Sequence, residues 1–308
     1  MTLRFSFLYF TGAVLLLAAP LGFARAAPME EPQSVPASSV PAGGLMGQEG
    51  LNATAWVQTA AEAKIAALQS YFWATRQLDA ALRSPKWSAA IEQNPNFEKL
   101  PPAIILDLDE TVLDNSAYQA RLVRDDAPYS RQSWKKWSDQ ADAAAIPGAQ
   151  KFLGFAAKKG VQIFYISNRG EDEEAATREN LRRLGFPVQG PSDHVLMTGE
   201  HPGWTSDKIT RRRYVARNHR VLLLIGDDMN DFVTAKPRTL QERLDLLEKY
   251  ASWWGQRWIL ISNPLYGSWE GALFGYKNDL SREDMLRRKY DALQTREPVA
   301  ASKPAPLP

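Results

Sequence analysis

AIILDLDET, residues 103–111, begins as an unbroken apolar run and ends in acidic residues followed by a threonine. A strand that is buried on both faces of a sheet has this continuous apolar pattern, because neither face meets water. In open α/β sheets the chemistry gathers beyond the carboxyl ends of the strands. The segment therefore predicts a central strand that carries Asp107, Asp109 and Thr111 to a functional edge.

Similar apolar runs recur along the chain and are separated by helical patterns. Strands that alternate with helices in this way indicate a parallel sheet covered on both faces. The sequence therefore predicts an α/β fold, a doubly wound Rossmannoid parallel sheet whose core lies at about 103–262. The further apolar runs are 161–166, 194–197, 221–225 and 257–261, and the helical patterns are about 147–159, 171–184, 207–217 and 239–252.

Residues 1–26 differ in composition from this core. They combine a positive charge at Arg4, an apolar run over 5–23 and the small-residue pattern A-x-A over 24–26. The pattern is typical of a secretory signal peptide, although the run is also nearly long enough for a retained membrane anchor. We expect cleavage and an exported chain, periplasmic or secreted, without a stable membrane anchor.

Composition also separates a linker and a tail from the domain between them. Proline and glycine are frequent over 27–50, which predicts a disordered linker, and the proline-rich end at 297–308 predicts a disordered tail. The domain itself is expected at 51–296. Its flanking helical patterns at 51–98 and 270–296 predict a smaller accessory helical region, which serves as a lid or as a homodimer surface. The apolar residues that fall close to one face of the first helix are Ala61, Ile65, Leu68 and Phe72.

Composition excludes several classes of site and partner. The chain contains no cysteine, so disulfides, thiolate metal sites and cysteine nucleophiles are ruled out. Its 3 histidines have no spacing that suggests a metal pair. The net charge of +2 gives no reason to expect a nucleic-acid polymer as partner. A metal site is therefore expected to use oxygen ligands, which favours Mg²⁺.

Polar side chains follow three of the predicted strands, and a lysine lies near the start of a helix. Carboxylates that cluster repel one another unless a cation shares them. Carboxylates, a divalent cation, a hydroxyl and an amine suit phosphate chemistry, since one carboxylate can attack phosphorus while the metal and the amine neutralise its oxygens. The residues concerned are Asp107, Asp109, Thr111, Ser167, Asn168, Lys208, Asp227, Asp228 and Asp231.

Asp107 and Asp109 stand two positions apart in the chain. On an extended segment alternate side chains point the same way, so both carboxylates are expected to face one site. One of them can attack phosphorus while the other exchanges a proton with the leaving oxygen.

The ordered set of motifs resembles the haloacid dehalogenase (HAD) superfamily, and within it the class C acid phosphatases of the lipoprotein e type, a 5′-nucleotidase family. The resemblance covers about 54–296 and implies a HAD-like fold. Those relatives carry a lipid-attachment cysteine that this chain lacks, so the resemblance extends to the chemistry but not to a membrane anchor. The matching segments are DLDETVLDNSAY (107–118), SWKKW (133–137), IPGA (146–149), FYISNR (164–169), GDDMNDF (226–232) and SNPLYGSWEGAL (262–273).

The resemblance implies the catalytic and metal-binding residues. Asp107 would be the nucleophile that forms an aspartyl-phosphate, with its other oxygen on Mg²⁺. Asp109 would protonate the leaving oxygen and then deprotonate water, and its backbone carbonyl would also bind the metal. Asp227 would complete the metal ligands. Dehalogenases lack the second aspartate, because a halide needs no proton, so Asp109 favours a phosphatase.

The same resemblance implies how the phosphoryl group is held. Thr111 and Ser167 would donate hydrogen bonds to its oxygens, with the backbone of Asn168 nearby. Lys208 would clamp the group and shield the nucleophile from its charge. Asp231 would lie behind, where it holds Lys208 or a water molecule.

Three further features complete the predicted site. Trp134 and Tyr266 are implied to form an aromatic slot for a base or a phenyl ring. Asp228 either replaces a neutral residue at the site or caps a helix. The basic run Arg211–Arg213 is interpreted as a solvated face, because three consecutive helical residues fan around about 200°.

The sequence as a whole predicts an exported, Mg²⁺-dependent acid phosphatase. Its substrates are expected to be small phosphomonoesters, either nucleoside monophosphates or aryl phosphates, hydrolysed through an aspartyl-phosphate. One alternative is a non-catalytic binding or storage protein on the HAD fold, against which the presence of Asp107, Asp109, Lys208 and Asp227 argues. The other is a phosphotransferase that uses an alcohol as acceptor, which the sequence leaves open.

Overall fold

The computed structural model describes residues 49–188, 193–277 and 279–294. Among the helices that it describes, none combines the length and the apolar composition needed to cross a bilayer. Three predicted segments lie outside the described residues, namely the signal peptide at 1–26, nearly all of the linker at 27–50 and the tail at 297–308.

A parallel sheet of 5 strands forms the centre of the fold, and a separate 2-stranded antiparallel pair lies beside it. In the large sheet the strand order is β5-β4-β1-β6-β7, and all neighbours run parallel. Each predicted apolar run is a strand of this sheet, so the predicted α/β fold is confirmed. In chain order the strands are β1 (Pro102–Leu106), β2 (Leu113–Asp114), β3 (Ala144–Ala145), β4 (Gln162–Gly170), β5 (Val195–Thr198), β6 (Arg220–Gly226) and β7 (Trp258–Leu260).

The register of the sheet brings the polar strand ends to one level. Leu106, the last residue of β1, lies opposite Tyr165 of β4 and Ile225 of β6. The backbone N–H of Asp107 then donates to the Ile225 carbonyl at 2.9 Å, which continues the pairing by one residue. The residues that follow β1 and β6, and the polar residues 167–169 near the end of β4, therefore emerge at the same edge, as expected for neighbouring parallel strands.

Helices cover both faces of the sheet. Ile104 and Leu106 of β1 face one apolar core with α2 and α5, where the rings of Tyr71 and Phe152 lie 5.6 Å apart. Ile105 faces a second core with α7. The predicted helical patterns between the strands are confirmed as α5 to α8. The helices are α1 (Leu51–Thr59), α2 (Ala61–Arg83), α3 (Ser116–Arg124), α4 (Arg131–Ser138), α5 (Ala149–Lys158), α6 (Glu174–Arg183), α7 (Ile209–Asn218), α8 (Leu240–Lys249), α9 (Ser268–Leu273) and α10 (Arg282–Asp291).

α2 covers the sheet, although its sequence was expected to belong to an accessory region. Small side chains on its inner face let it pack closely against α5 and β6. The helix ends at Arg83 and not at residue 98, because Ser84 is extended ahead of Pro85 and a residue before proline disfavours helix. The buried residues of α2 are Ala67, Tyr71, Ala74, Leu78 and Ala81.

The opposite face of α2 is exposed and apolar. Ile65, Leu68 and Phe72 are 49%, 50% and 60% exposed. These residues share the helical face that stands out in the sequence, but they do not form the core. The alanine-rich face of α2 is buried instead, because alanines allow a closer approach to the sheet than bulky side chains would.

Candidate active site

The ends of β1 and β6 bring three carboxylates together. Asp107 follows β1 directly, Asp227 follows β6, and Asp231 ends the 3₁₀ turn Met229–Asp231. One oxygen of each carboxylate lies within 4.8 Å of the others, so all three can contact a single cation. Gly226 permits this approach, since a Cβ at that position would collide with the Asp231 carboxylate.

Asp228 begins that turn and caps it. Its Oδ1 accepts a hydrogen bond from the Asn230 N–H at 2.8 Å, which satisfies a free donor of the turn. Its Oδ2 accepts from the Ser268 N–H at 2.5 Å, which ties the turn to the start of α9. Of the two predicted roles for Asp228, these contacts favour the capping role.

Lys208 inserts its ammonium group between two of the clustered carboxylates. Its Nζ donates to Asp107 and, at 2.7 Å, to Asp231, and its side chain is buried. Burial opposes the charge on Lys208, but the two carboxylates outweigh burial and raise its pKa above the usual value. The lysine implied to clamp the phosphoryl group thus lies against the nucleophile candidate.

The cluster carries more negative charge than Lys208 can neutralise. Burial raises the pKa of Asp107 to about 7, while Lys208 opposes the rise and Asp231 adds to it. Burial and then the Asp107 carboxylate raise the pKa of Asp227 well above its usual value. A divalent cation would relieve this repulsion, and the donor set consists of oxygens alone. The cluster therefore fits a divalent metal.

Asp109 faces the same cavity as Asp107, while Leu108 between them is fully buried. The two carboxylates thus face one site with the intervening residue turned inward, as the two-residue spacing predicts. Asp109 is also paired with Arg169, whose Nη2 donates to Oδ1 at 2.7 Å and whose Nε donates to Oδ1 and Oδ2 at 3.0 and 3.2 Å. Asn115 Nδ2 adds a further hydrogen bond to Oδ1 at 2.9 Å. Neither partner was assigned a role from the sequence.

The hydroxyls expected to bind phosphate lie beside the carboxylates. Thr111 and Ser167 are fully buried. Thr111 Oγ1 is 3.4 Å from an oxygen of Asp227, and Ser167 Oγ is 3.4 Å from an oxygen of Asp109. Asn168 is exposed and lines the cavity together with Lys208. The structure thus gathers the residues implied for phosphate binding around one edge.

The interpretation of Arg211–Arg213 as a solvated face is wrong for two of the three residues. Arg211 and Arg212 are fully buried, and only Arg213 of this run is exposed. Residues that fan around a helix cannot all face water once α7 packs on the sheet. Burial lowers the pKa of Arg211 to about 10.

Arg211 ties together the loops that carry the phosphate-binding candidates. Its Nη1 donates to the Ser167 carbonyl, and its Nη2 donates to Asn168 Oδ1 at 2.9 Å and to the Thr205 carbonyl at 2.6 Å. The neighbouring Arg212 pairs with Glu92 at 2.8 Å. These side chains were missed because their acceptors, mostly backbone carbonyls, are distant in sequence.

Glu110 follows Asp109 in the chain and contacts Tyr266, which lines the cavity. It adopts a φ of 58° and is buried, and burial followed by the Asp109 charge raises its pKa to about 8. Tyr266 Oη donates to Glu110, and the backbone N–H of Asn115 donates to Glu110 at 2.8 Å. Glu110, Asn115 and Arg169 all lie inside the motifs of the resemblance, which was the only signal in the sequence that could have identified them.

The site opens into a cavity of about 1120 Å³. Asp107, Asp227 and Lys208 line it, and so do the aromatic candidates Trp134 and Tyr266. Such a volume exceeds what a phosphate group needs and suits a substrate with a sizeable organic part.

The wall of the cavity also includes residues of the predicted accessory region. Met285 and Lys289 of α10 line it, together with Glu49 ahead of α1. Lys289 pairs with Glu49 at 2.5 Å and with Glu270 at 2.6 Å. Ion pairs thus attach α10 beside the cavity, and its service as a lid stays a prediction.

Comparison with known proteins finds relatives that are described as acid phosphatases. Residues 43–269 match the family model of HAD superfamily, subfamily IIIB (acid phosphatase). Two structures of the class C acid phosphatase from Bacillus anthracis, one with tungstate bound, are 35% identical to this chain, with TM-scores of 0.72 and 0.73. Each match covers 82% of this chain and 99% of the other.

A curated relative, acid phosphatase 1 of Solanum lycopersicum, is 26% identical over 136 residues. The match covers 42% of this chain and 51% of the relative, so the chain spans about half the length of that protein.

Proposed function

Because this chain belongs to the acid phosphatases of HAD superfamily subfamily IIIB, we propose that it hydrolyses phosphomonoesters at the edge where Asp107 and Asp227 meet. The observation that carries the proposal is the buried cluster of three carboxylates with Lys208 inserted among them. Such a cluster is costly to bury and suits a site that binds a cation and a phosphoryl group. A merely structural role would not require it.

In the first half of the proposed reaction, a carboxylate oxygen of Asp107 attacks phosphorus. The bond from phosphorus to the leaving oxygen breaks, and Asp109 gives its proton to that oxygen. Lys208, Thr111 and Ser167 supply positive charge and hydrogen bonds to the phosphoryl oxygens. The product of this half is an aspartyl-phosphate and a free alcohol or phenol.

In the second half, Asp109 takes a proton from a water molecule that attacks phosphorus. The bond between phosphorus and the Asp107 oxygen breaks, and inorganic phosphate leaves. Asp109 has then regained the proton it gave away, so the enzyme returns to its starting state. No described residue of the site favours an alcohol over water as acceptor. The presence of Asp107, Asp109, Lys208 and Asp227 argues against the binding-protein alternative.

We propose Mg²⁺ as the cation, held by the carboxylates of Asp107 and Asp227 and by the backbone carbonyl of Asp109. When bound, it neutralises the phosphoryl oxygens and the crowded carboxylates. The all-oxygen donor set and the absence of cysteine support this choice over softer metals. Asp231, which contacts Lys208 at 2.7 Å, orients that lysine.

The substrate class that we propose is a phosphomonoester with a planar ring, such as a nucleoside monophosphate or an aryl phosphate. Trp134 and Tyr266 both line the cavity, and Trp134 is held by an edge-to-face contact with Tyr118 at 5.2 Å. A ring that stacks on such a side chain gains about 1–3 kcal/mol.

Replacing Trp134 tests both the activity and the aromatic slot. The wild type is expected to hydrolyse AMP with a higher kcat/KM than ribose 5-phosphate, which has the same leaving oxygen but no base. In Trp134→Leu this preference should fall about tenfold, because stacking on the indole is lost. The ratio of the two kcat/KM values is measured on one preparation, so partial unfolding cannot change it. An unchanged preference would contradict the slot, and failure to hydrolyse any phosphomonoester would contradict the proposed function.

We also propose that the chain is exported, to the periplasm or beyond, and that residues 1–26 are removed. The support is the pattern of charge, apolar residues and small residues in that segment.

A homodimer through the exposed face of α2 completes the proposal. Among the described residues, Ile65, Leu68 and Phe72 form an apolar stripe at spacings of three and four, which suits helix packing. An antiparallel two-fold crossing near Leu68 would set Ile65 against Phe72 of the second copy. It would also bring the acidic Glu62 close to the basic Arg76 of the second copy.

Sedimentation velocity tests this dimer. The wild type is expected to sediment as a dimer at micromolar concentration, and Leu68→Glu should weaken association at least about tenfold by burying an unpaired charge. Leu244→Glu on α8, where the leucine is 54% exposed, is the matched control and should remain dimeric. A monomeric wild type, or equal effects of both variants, would refute the interface.

A further inference from the structure

Arg169 has no role in the reaction described above, yet it makes more hydrogen bonds to Asp109 than any other described side chain. The two lie at the ends of neighbouring strands, β4 and β1. Two nitrogens of Arg169 donate to the Asp109 carboxylate, at distances from 2.7 to 3.2 Å. The Arg169 side chain is 1% exposed, whereas that of Asp109 is 16% exposed. The arginine is thus sealed in the protein while the carboxylate keeps access to the cavity.

Other contacts hold the guanidinium group of Arg169 in place. Its Nη1 donates to Thr177 Oγ1 of α6 at 3.0 Å, and its Nη2 lies 3.4 Å from Asn115 Oδ1. Its central carbon lies 5.5 Å from the centroid of the Trp134 ring, within the range of a cation–π contact. A guanidinium that is fixed on several sides offers a rigid fork to the carboxylate, which a flexible ammonium could not do.

The hydrogen bonds divide unequally between the two oxygens of Asp109. Oδ1 accepts from Arg169 Nε and Nη2 and from Asn115 Nδ2, all at 3.0 Å or less. Among the described residues, Oδ2 has two contacts, both longer: 3.2 Å to Arg169 Nε and 3.4 Å to Ser167 Oγ. Oδ1 is therefore saturated by donors, and Oδ2 is the oxygen that can still carry a proton.

We propose that Arg169 is a positioning residue that locks Asp109 so that Oδ2 makes both proton transfers of the reaction. In the first transfer, Oδ2 gives its proton to the leaving oxygen as the bond from that oxygen to phosphorus breaks. In the second, Oδ2 takes a proton from the water whose oxygen bonds to phosphorus. This inference rests on the proposed function, and it adds the residue and the oxygen atom that set the proton's path.

Leaving groups that differ in their need for a proton reveal the role of Arg169. A p-nitrophenolate leaves without protonation, whereas a benzyl alkoxide must be protonated as it departs. Both carry a ring for the aromatic slot. Loss of the alignment of Oδ2 should therefore reduce kcat/KM for benzyl phosphate and spare kcat/KM for p-nitrophenyl phosphate, because that parameter reports steps up to release of the leaving group.

The test compares Arg169→Gln with the wild type on these two substrates. The ratio of kcat/KM for p-nitrophenyl phosphate to kcat/KM for benzyl phosphate should rise about 100-fold, the lower end of what general acid catalysis contributes. The ratio does not depend on how much of a preparation is folded. With p-nitrophenyl phosphate the variant should also release a burst of p-nitrophenolate in its first turnover, since hydrolysis of the aspartyl-phosphate needs the same oxygen as base.

Further variants separate positioning from charge and from folding. Arg169→Lys keeps the charge without the fork, so its ratio should lie between those of the wild type and Arg169→Gln. Thr177→Val removes one support of the guanidinium and should shift the ratio in the same direction by a smaller amount. Arg178→Gln, which alters an arginine paired with Glu174 outside the cavity, should leave the ratio unchanged.

Equal losses on both substrates in Arg169→Gln, or full restoration by lysine, would overturn the positioning role. Failure of the proposed function would look different. In that case the Asp107→Asn enzyme would keep its turnover on both substrates, whatever Arg169 does.

Discussion

Asp107→Asn is expected to lower turnover of p-nitrophenyl phosphate by at least about 10⁴-fold, because an amide cannot form the aspartyl-phosphate. Asparagine has nearly the same shape as aspartate, and its carbonyl oxygen can still accept from Lys208, which lies against Asp107. The change also removes one of three crowded carboxylates. The fold should therefore survive while the chemistry stops. Steady-state rates and the thermal unfolding midpoint measure the two effects separately.

Acid quench and a control variant sharpen this experiment. The wild type, quenched in acid during turnover of ³²P-labelled substrate, should retain protein-bound phosphate, and Asp107→Asn should retain none. Asp79→Asn removes a carboxylate on α2 that pairs with Lys159 at 3.4 Å, and it should leave the rate unchanged. Near-normal turnover by Asp107→Asn would refute the assignment of the nucleophile.

Removal of divalent metal is expected to lower activity by at least about 10³-fold, and added Mg²⁺ should restore it. Without a cation, Lys208 is the only basic side chain among the described residues that forms an ion pair with the cluster of Asp107, Asp227 and Asp231. The phosphoryl oxygens would then meet uncompensated negative charge. Activity after treatment with EDTA, dialysis and return of Mg²⁺ measures the effect, with the residual metal content determined on the same sample. Full activity in protein shown to be free of metal would contradict the proposal.

The same crowding predicts how the stability of the metal-free protein depends on pH. In the folded chain the pKa of Asp107 is about 7, compared with an ordinary value of 3.8, so folding favours the protonated form. The unfolded chain loses that proton first, and the stability of the metal-free protein should therefore fall as pH rises from about 4 to about 7. Mg²⁺ should raise the unfolding midpoint more at pH 8 than at pH 5, because protons compete with the metal at the lower pH. Asp227→Asn should reduce the increase in the unfolding midpoint that Mg²⁺ causes.

The positions of the catalytic candidates could be predicted from local patterns. Asp107 and Asp227 each follow an unbroken apolar run, and parallel strands place their ends at one edge. Asp109 faces the same cavity as Asp107, because Leu108 between them turns inward. These features depend on residues that are close in sequence, so they can be predicted without knowing how distant segments pack.

Other features could not be read in this way, because their partners come from distant parts of the chain. Arg211 lies in a run of basic residues that looks solvated, yet it is buried against carbonyls such as that of Ser167. In α2 the apolar stripe of Ile65, Leu68 and Phe72 faces outward, because the alanine-rich face fits more closely against the sheet.

The pairing of Asp109 with Arg169 also joins residues 60 positions apart. The pattern of apolar runs and acidic strand ends thus suffices for the sheet and for the edge at which Asp107 and Asp227 meet, since these follow from local geometry. Which helix face is buried, which arginines serve the site and which oxygen of Asp109 stays open depend on packing and hydrogen bonding between remote segments. Those interactions exist only once the sheet has brought the segments together.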